Sequence, residues 1–420
     1  MHARRWTGVA LAAAVALVSS APSTARACGG FFCDNVQPVV QTAERILFRV
    51  RHDGAITTYV EVQYEGPPQG FGWALPAPAG ITVDDVTTAP AGLFDALERA
   101  TAPRFVVGQY DDGGGQDDEG CGGWCCLGGG GGGDDGVYYE EEPPQPDTTG
   151  VLVVGEAVVG PYDIQIIQAE SAANLINWLQ LNGYQIPAAA LGPMDHYVSE
   201  DMSFIGVKLQ ADVPAGPIDT LAFTTPAPYP MIPLLLTGVA AAPGMEIIAY
   251  VSGPGRYAPG NYDEFSVDFD RVRWVDDRHE ETTYDDVLRE ELALLDDGQG
   301  LTAEFAGPVD SLYANFAGTP VEAIVPRGSY LTRFRTVMDP EDMTADPYWV
   351  PDTSAPIVDN VHTIYGVAGD TDTDAGGDDG YAPADDDGGS RPLFMGLALA
   401  LALAFKPRRR GWLRSPKDRD

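Results

Sequence analysis

The most constraining feature of the chain is a pair of strand patterns separated by a short polar turn. Residues 45–51 and 55–64 alternate β-branched or aromatic side chains with polar ones, which is typical of half-buried β-strands. A two-residue Asp53-Gly54 turn and a three-residue turn that includes His52 give registers that differ by one residue. The three-residue turn gathers the apolar side chains on one face and needs a left-handed glycine at Gly54. The predicted hairpin therefore contributes to the core the side chains Ile46, Phe48, Val50, Ile56, Val60 and Val62.

The N-terminus has the pattern of a secretory leader. A basic start precedes an unbroken apolar run at residues 9–18, and the Ala-Arg-Ala sequence at 25–27 fits the small-x-small cleavage rule. Cleavage between Ala27 and Cys28 defines residues 1–27 as a signal peptide and predicts export to an oxidising compartment. A cysteine at the first mature position leaves lipidation as an alternative.

The chain has five cysteines, of which four can pair and one is left over. We expect one disulfide between Cys28 and Cys33 and a second from Cys121 to either Cys125 or Cys126. A metal site at the last three is the alternative. Three thiolates without a nearby histidine are a poor ligand set for zinc, so no metal is predicted there.

The charge of the chain is strongly acidic, with a formal net charge of −37 at pH 7. Between Cys28 and Phe405, 15 basic residues stand against 60 acidic ones. Such a body repels nucleic acid and anionic lipid, so nucleic-acid binding is not expected. Acidic loops could attract divalent cations or basic partners. No cofactor is predicted, and stabilisation of the loops by calcium is the alternative.

The organisation along the chain is one secreted domain with an insert and two C-terminal segments. Residues 28–366 form the domain, and residues 111–150 form a Gly-, Asp- and Pro-rich insert whose composition predicts disorder. Residues 367–390 are an acidic linker, and residues 391–420 are an apolar and basic tail. Two lobes split near the insert are the alternative to a single unit.

The patterns along the domain predict a β-rich α+β fold. Its antiparallel sheets are expected to be partly sandwich-like, with two or three helices packed against them. Pro76 and Pro78 place residues 71–78 at a sheet edge or in a covering segment. Helices are predicted at residues 91–101, 172–182 and 285–295. Strands are predicted at residues 104–110, 151–159, 162–169, 204–209, 222–224, 234–239, 246–252, 265–275 and 330–337.

The tail combines a thirteen-residue apolar run at residues 393–405 with the basic sequence KPRRR. The run is shorter than the roughly twenty residues that span a bilayer. With Gly388-Gly389-Ser390 before it, the tail resembles bacterial sorting tails of the GlyGly-CTERM and MYXO-CTERM kinds, although no cysteine precedes the run as in the second kind. The resemblance implies processing by an envelope protease and display at the cell surface. A short transmembrane helix that stays uncleaved is the alternative.

Five motifs are distributed along the body: CGGFFC at 28–33, ERILFRV at 44–50, FGWALPAP at 71–78, VGPYDIQII at 159–167 and YLTRFRTVMDPEDMTADP at 330–347. With these motifs, the body resembles a bacterial family known as domain of unknown function 2330. The resemblance implies a secreted envelope protein built as a single unit, and it transfers no catalytic residue because the family carries no established activity.

The sequence favours a non-enzymatic surface protein, with a binding or structural role, that contacts the cell envelope through its tail and an unknown partner through its body. It lacks the Gly-x-Ser-x-Gly and His-Glu-x-x-His motifs. Asp195, His196 and Ser199 could form a fragment of a triad, but neighbours in sequence rarely provide the geometry of one. The alternative is a secreted hydrolase that cleaves a cell-wall or extracellular polymer through paired carboxylates. No residue is assigned to catalysis or to cofactor binding.

Overall fold

A computed structural model describes residues 40–65, 72–108, 150–184, 186–210, 219–295 and 297–368. The chain divides into the units Met1–Asp370 and Thr371–Asp420, and every described residue belongs to the first. The strands are β1 Val40–Val50, β2 Ile56–Glu65, β3 Gly72–Ala77, β4 Val86–Thr88, β5 Arg104–Val107, β6 Val151–Val159, β7 Tyr162–Ala169, β8 Ser203–Leu209, β9 Leu221–Thr225, β10 Ala241–Gly253, β11 Tyr257–Pro259, β12 Asp263–Phe265, β13 Gly300–Pro308, β14 Tyr330–Met338, β15 Trp349–Pro351 and β16 Val361–Ile364. The helices are α1 Leu93–Thr101, α2 Ala172–Leu181, α3 Leu191–Ser199, α4 Leu234–Thr237, α5 Tyr284–Leu292, α6 Tyr313–Phe316 and α7 Pro320–Ile324.

The largest element is an eight-stranded mixed sheet in the order β12-β13-β14-β10-β1-β2-β9-β4. The hairpin of β1 and β2 lies inside it, with β10 parallel to β1 and β9 antiparallel to β2. A four-stranded antiparallel sheet has the order β3-β8-β7-β6. Two further two-stranded sheets pair β11 with β15 and β5 with β16.

The two large sheets pack face to face. One core cluster joins Ile46, Phe48 and Ile247 of the eight-stranded sheet to Leu75 and Ile205 of the four-stranded sheet. We call this side of the eight-stranded sheet the inner face and the opposite side the outer face. Because successive strand residues point to opposite sides, burial on both faces requires near-continuous apolar strands, as β10 shows.

Helices cover the two remaining sheet surfaces. On the outer face, Leu47 of β1 and Tyr250 of β10 pack with Phe94 of α1 and with α6 and α7. On the far side of the four-stranded sheet, Ile167 and Phe204 pack with α2 and α3. The layers confirm the predicted β-rich α+β class and its sandwich-like part, and they add parallel pairs to the sheets.

The hairpin has the predicted register. Val50 pairs with Ile56 and Ile46 pairs with Val60, and the six predicted apolar side chains belong to or pack on the inner-face core. The Arg51 amide donates to the Ala55 carbonyl at 2.9 Å and closes the three-residue turn. Gly54 has a φ of 86°, the left-handed conformation that the turn needs.

The predicted ends of α2 and the predicted edge position of β3 also agree with the structure. Ser171 caps α2, because its Oγ accepts a hydrogen bond from the Asn174 amide at 3.2 Å, and Gly183 follows the helix with a φ of 86°. The proline-containing β3 is an edge strand of its sheet, as Pro76 predicts.

Two predicted strands are wrong. Residues 234–239 contain the short helix α4, since a short run of apolar residues does not distinguish a buried helical turn from a strand. Residues 265–275 leave the sheet after β12, because the Asp268 carboxylate accepts a hydrogen bond from the Asp270 amide and stabilises a tight turn instead. No strand was predicted at β13, which pairs with β14 inside the large sheet.

Several predictions concern residues outside the described ranges. They are the signal peptide, all five cysteines, nearly all of the 111–150 insert, the acidic linker beyond residue 368 and the C-terminal tail. No helix among the described residues is long and apolar enough to cross a membrane.

Candidate functional site

A cavity of about 820 Å³ lies between the two large sheets, on the inner face of the hairpin. We call it the inter-sheet cavity. Strands β1, β2 and β9 supply one wall, β3 supplies the facing wall, and α3 and the segments 227–233 and 344–348 surround the opening. Apolar side chains dominate its walls, including Ile46, Phe48, Ile56, Val60, Leu75 and Phe223.

Glu44 is a buried carboxyl group among these apolar walls. It occupies the strand position two before Ile46 and lies opposite Val62, so it shares their inner face. Its exposed fraction is 2%, and Gln41 Nε2 donates to its Oε2 at 3.1 Å. Gln41 is its one hydrogen-bond partner among the described residues. Burial raises the pKa of Glu44 from 4.5 to about 7, and the hydrogen bond from Gln41 lowers it by less.

The C-terminal end of α3 provides polar groups at the opening of the cavity. His196 and Glu200 are exposed there, and Asp201 follows the helix with a φ of 57°. On another side of the opening, the rings of Tyr229 and Tyr348 lie with their centroids 4.7 Å apart. The opening therefore combines acidic groups with exposed aromatic surface.

Asp346 links the opening to the chain around it. Its Oδ1 accepts hydrogen bonds from the Leu235 amide at 2.9 Å and from Tyr197 Oη at 3.0 Å. Burial raises the pKa of Asp346 above its usual value, and these hydrogen bonds oppose that shift. Asn261 donates to the Asp346 carbonyl at 2.8 Å and helps to fix the segment.

Carboxyl groups dominate the charged side chains of the cavity. Four carboxyl groups and one imidazole line it, and no lysine or arginine does so among the described residues. In a site with low-dielectric walls such an arrangement favours a positive group over a negative one. The carboxyl groups are those of Glu44, Glu200, Asp201 and Asp346.

The outer face of the same sheet carries a second group of charges, the arginine cluster, which we define as Arg333 and Arg335 with their partners. Arg333 is 3% exposed and contacts Glu304 at 2.5 Å, Glu98 at 2.6 Å and Tyr250 Oη at 2.8 Å. Arg335 contacts Glu246 at 2.6 Å and Asp285 at 2.8 Å. The N–H groups of both guanidinium groups therefore contact carboxylates or a phenol, which is typical of a structural network.

The predicted triad fragment does not form a triad. Asp195, His196 and Ser199 share α3, but Ser199 Oγ donates to the His196 carbonyl at 2.7 Å rather than to an imidazole nitrogen. His52 lies in the exposed hairpin turn and His362 stacks on Phe269, with 3.6 Å between ring centroids. Within the described ranges, no group of three or more histidines, cysteines or carboxylates is placed to hold a metal ion.

Glu44 was not among the predicted site residues, although the sequence contains a signal for it. The alternation that puts Ile46, Phe48 and Val50 on the apolar face extends back by two residues to Glu44. A charged residue in phase with the buried face of a strand needs a partner or a function. The remaining cavity residues come from distant segments, and no local pattern brings them together.

The chain is an α+β protein with a cavity between its two large sheets. Residues 22–349 match the profile of a family described as "Uncharacterized protein conserved in bacteria (DUF2330)". The match covers most of the chain, so the protein belongs to this family, as its motifs predicted. No curated protein and no solved structure matches the chain.

Proposed function

We propose that this chain is an exported cell-envelope protein whose body binds a small, largely apolar ligand in the inter-sheet cavity without transforming it. The observation that carries the proposal is the cavity itself. Its volume of about 820 Å³ falls within the roughly 300–1,000 Å³ of small-molecule sites. Apolar walls with a few polar groups are also typical of such sites.

The proposed location rests on the ends of the sequence. The basic and apolar start with its cleavage pattern at Ala27 and Cys28 supports export. The acidic linker and the apolar-basic tail support anchoring in the envelope, with the body held away from the membrane. Disulfides among Cys28, Cys33, Cys121, Cys125 and Cys126 fit an oxidising compartment.

A hydrolase that uses paired carboxylates is the second candidate. One observation favours it, because Glu44 and Asp346 line the same cavity and burial raises the pKa of both groups. The apolar walls count against a sugar polymer, whose hydroxyl groups need many hydrogen-bond partners. The outer-face carboxylates Glu98 and Glu304 do not provide another catalytic pair, because both form ion pairs with Arg333. Binding is therefore the better-supported function.

The binding proposal is tested with the uncharged fluorophore N-phenyl-1-naphthylamine and the full chain. Ala227 is partly buried and lines the cavity, so Ala227→Trp fills space that a ligand needs. The exposed Val158 on β6 lies away from the cavity, and Val158→Trp is the matched control. We expect saturable fluorescence that Ala227→Trp weakens by about ten-fold or more and Val158→Trp leaves unchanged. Absence of saturable binding, or equal effects of the two variants, contradicts the proposal.

Three further measurements test the rest of the proposal. Intact and peptide mass spectrometry of the native protein identifies both ends, the disulfides and any lipid on Cys28. Incubation with a panel of glycans and cell-wall fragments tests for hydrolysis. A product that forms with the native protein and not with Glu44→Gln contradicts a function in binding alone. Thermal melting with calcium and with a chelator tests whether acidic loops bind this ion.

A further inference from the structure

The charges around the inter-sheet cavity point to the chemistry of its ligand. The cavity has carboxyl groups at the opening and one at depth, and the described residues that line it include no lysine or arginine. A carboxylate ligand would meet repulsion at both places and would find no guanidinium or ammonium partner. The apolar walls require a hydrophobic body. The two requirements together describe an amphiphile whose polar end is not negative.

The surroundings of Glu44 favour a ligand with a positive polar end over a ligand with a neutral one. Its Oε2 accepts one hydrogen bond from Gln41, and no other described residue donates to its carboxyl group. An ionised carboxylate can accept further hydrogen bonds at both of its oxygens. An ammonium group supplies up to three donors and compensates the charge that burial disfavours. A hydroxyl group supplies one donor and no charge.

We propose that the inter-sheet cavity binds a hydrophobic amine whose ammonium group pairs with the Glu44 carboxylate and whose apolar body lies between the sheets. This inference rests on the proposed function, because it requires that the cavity admits a small ligand. At the opening, the exposed ring of Tyr229 and the partly buried ring of Tyr348 add aromatic faces that attract a cation during entry.

The pairing makes the affinity for an amine depend on pH. An amine binds the ionised form of Glu44, so its affinity rises as the pH rises through the range in which Glu44 loses its proton. The other titratable groups that line the cavity belong to α3, to the segment 227–233 and to the segment 344–348. They are His196, Tyr197, Glu200, Asp201, Tyr229, Asp346 and Tyr348.

The test compares three probes that share a ten-carbon chain: decylamine, decanol and decanoate. Calorimetry on the full chain at about pH 8 gives their dissociation constants, and the series is repeated at about pH 5.5. We expect decylamine to bind about ten-fold or more tightly than decanol at the higher pH, and decanoate to bind most weakly. The preference for the amine shrinks at the lower pH. Repeating the series in His196→Gln separates Glu44 from the imidazole at the opening.

Glu44→Gln removes the charge and keeps the size of the side chain and one acceptor oxygen. We expect this variant to lose the preference for decylamine over decanol. Glu61→Gln is the matched control, because Glu61 lies on the neighbouring strand and pairs with Arg45 on the outer face. It keeps the preference. Thermal melting verifies that both variants fold.

The outcomes separate the two levels of the proposal. Equal affinity for decylamine and decanol, or an amine preference that survives in Glu44→Gln, overturns the ligand class while the binding function stands. Failure of decanol, decylamine and N-phenyl-1-naphthylamine to bind overturns the binding function and the ligand class together.

Discussion

On the outer face of the eight-stranded sheet, the buried Arg333 contacts two carboxylates and a phenol. On the inner face, the buried carboxyl group of Glu44 contacts a single amide among the described residues. Both side chains are at most 3% exposed, and their strands belong to the same sheet. The two outer-face arginines of β14 have partners from β10, β13, α1 and α5. The inner-face carboxyl group adjoins a cavity instead. Burial alone therefore does not distinguish Arg333 from Glu44. The number of their partners among the described residues does.

Arg333→Met gives the largest expected effect, because it leaves the 1% exposed Glu304 without its nearest charge partner. We expect the free energy of unfolding to fall by about 3–5 kcal/mol. Urea denaturation at pH 7 measures the change. The double variant Arg333→Met with Glu304→Leu is the control and regains part of the loss. A loss below about 1 kcal/mol would show that the outer-face network is not the structural one described here.

Glu44→Gln is expected to increase the free energy of unfolding at alkaline pH, whereas Arg333→Met decreases it. The pKa of Glu44 is about 7 in the folded protein against 4.5 as the ordinary value. Between these values the folded state binds more protons than the unfolded state, so the stability of the native protein falls as the pH rises. At pH 8 the variant should be more stable than the native protein by an amount on the order of 3 kcal/mol. Urea denaturation at pH 8 and at pH 4.5 checks this, and a variant that is less stable at both pH values contradicts it.

Gln41→Leu removes the one hydrogen bond that Glu44 accepts from the described residues. Because that bond favours the ionised form, its loss should raise the pKa of Glu44 further. We expect the variant to lose about 1–2 kcal/mol at pH 8, where Glu44 is ionised, and less at pH 5. Paired denaturation curves at the two pH values measure the difference. Equal losses at both would mean that Gln41 acts only through packing.

Arg327→Met gives the smallest expected effect and calibrates the comparison at the protein surface. Arg327 and Asp310 are 62% and 54% exposed, and their charged atoms lie 3.4 Å apart. Exposed pairs contribute about 0–1 kcal/mol, so the change in unfolding free energy should stay below about 1 kcal/mol. Urea denaturation at low and at high salt checks it. A loss similar to that of Arg333→Met would remove the distinction between buried and exposed pairs.

The sequence predicted those parts of the fold that depend on local patterns. The hairpin register followed from alternation and from one turn glycine, and α2 followed from the Ser171 cap. Residues 234–239 failed because a short apolar run fits either a strand or a buried helical turn. The parallel pairing of β1 with β10 joins positions about 200 residues apart, and no local pattern specifies such a partner.

The candidate site was less accessible from the sequence than the fold. Glu44 was visible in principle, because it continues the alternation of Ile46 and Phe48. Asp346 and Tyr197 are 149 positions apart in the chain, and only the packing of the segment 344–348 against α3 brings them together. The acidic composition also concealed the site, since most carboxylates of such a chain serve solubility.

The most direct test of the central claim is the number of protons released when decylamine binds to the full chain at pH 7. Calorimetry in two buffers of different ionisation enthalpy gives this number. With a pKa of about 7 in the free protein, Glu44 should release roughly half a proton per bound amine, while decanol should release none. Saturable binding of decylamine without proton release, or with the same release in Glu44→Gln, would contradict the account.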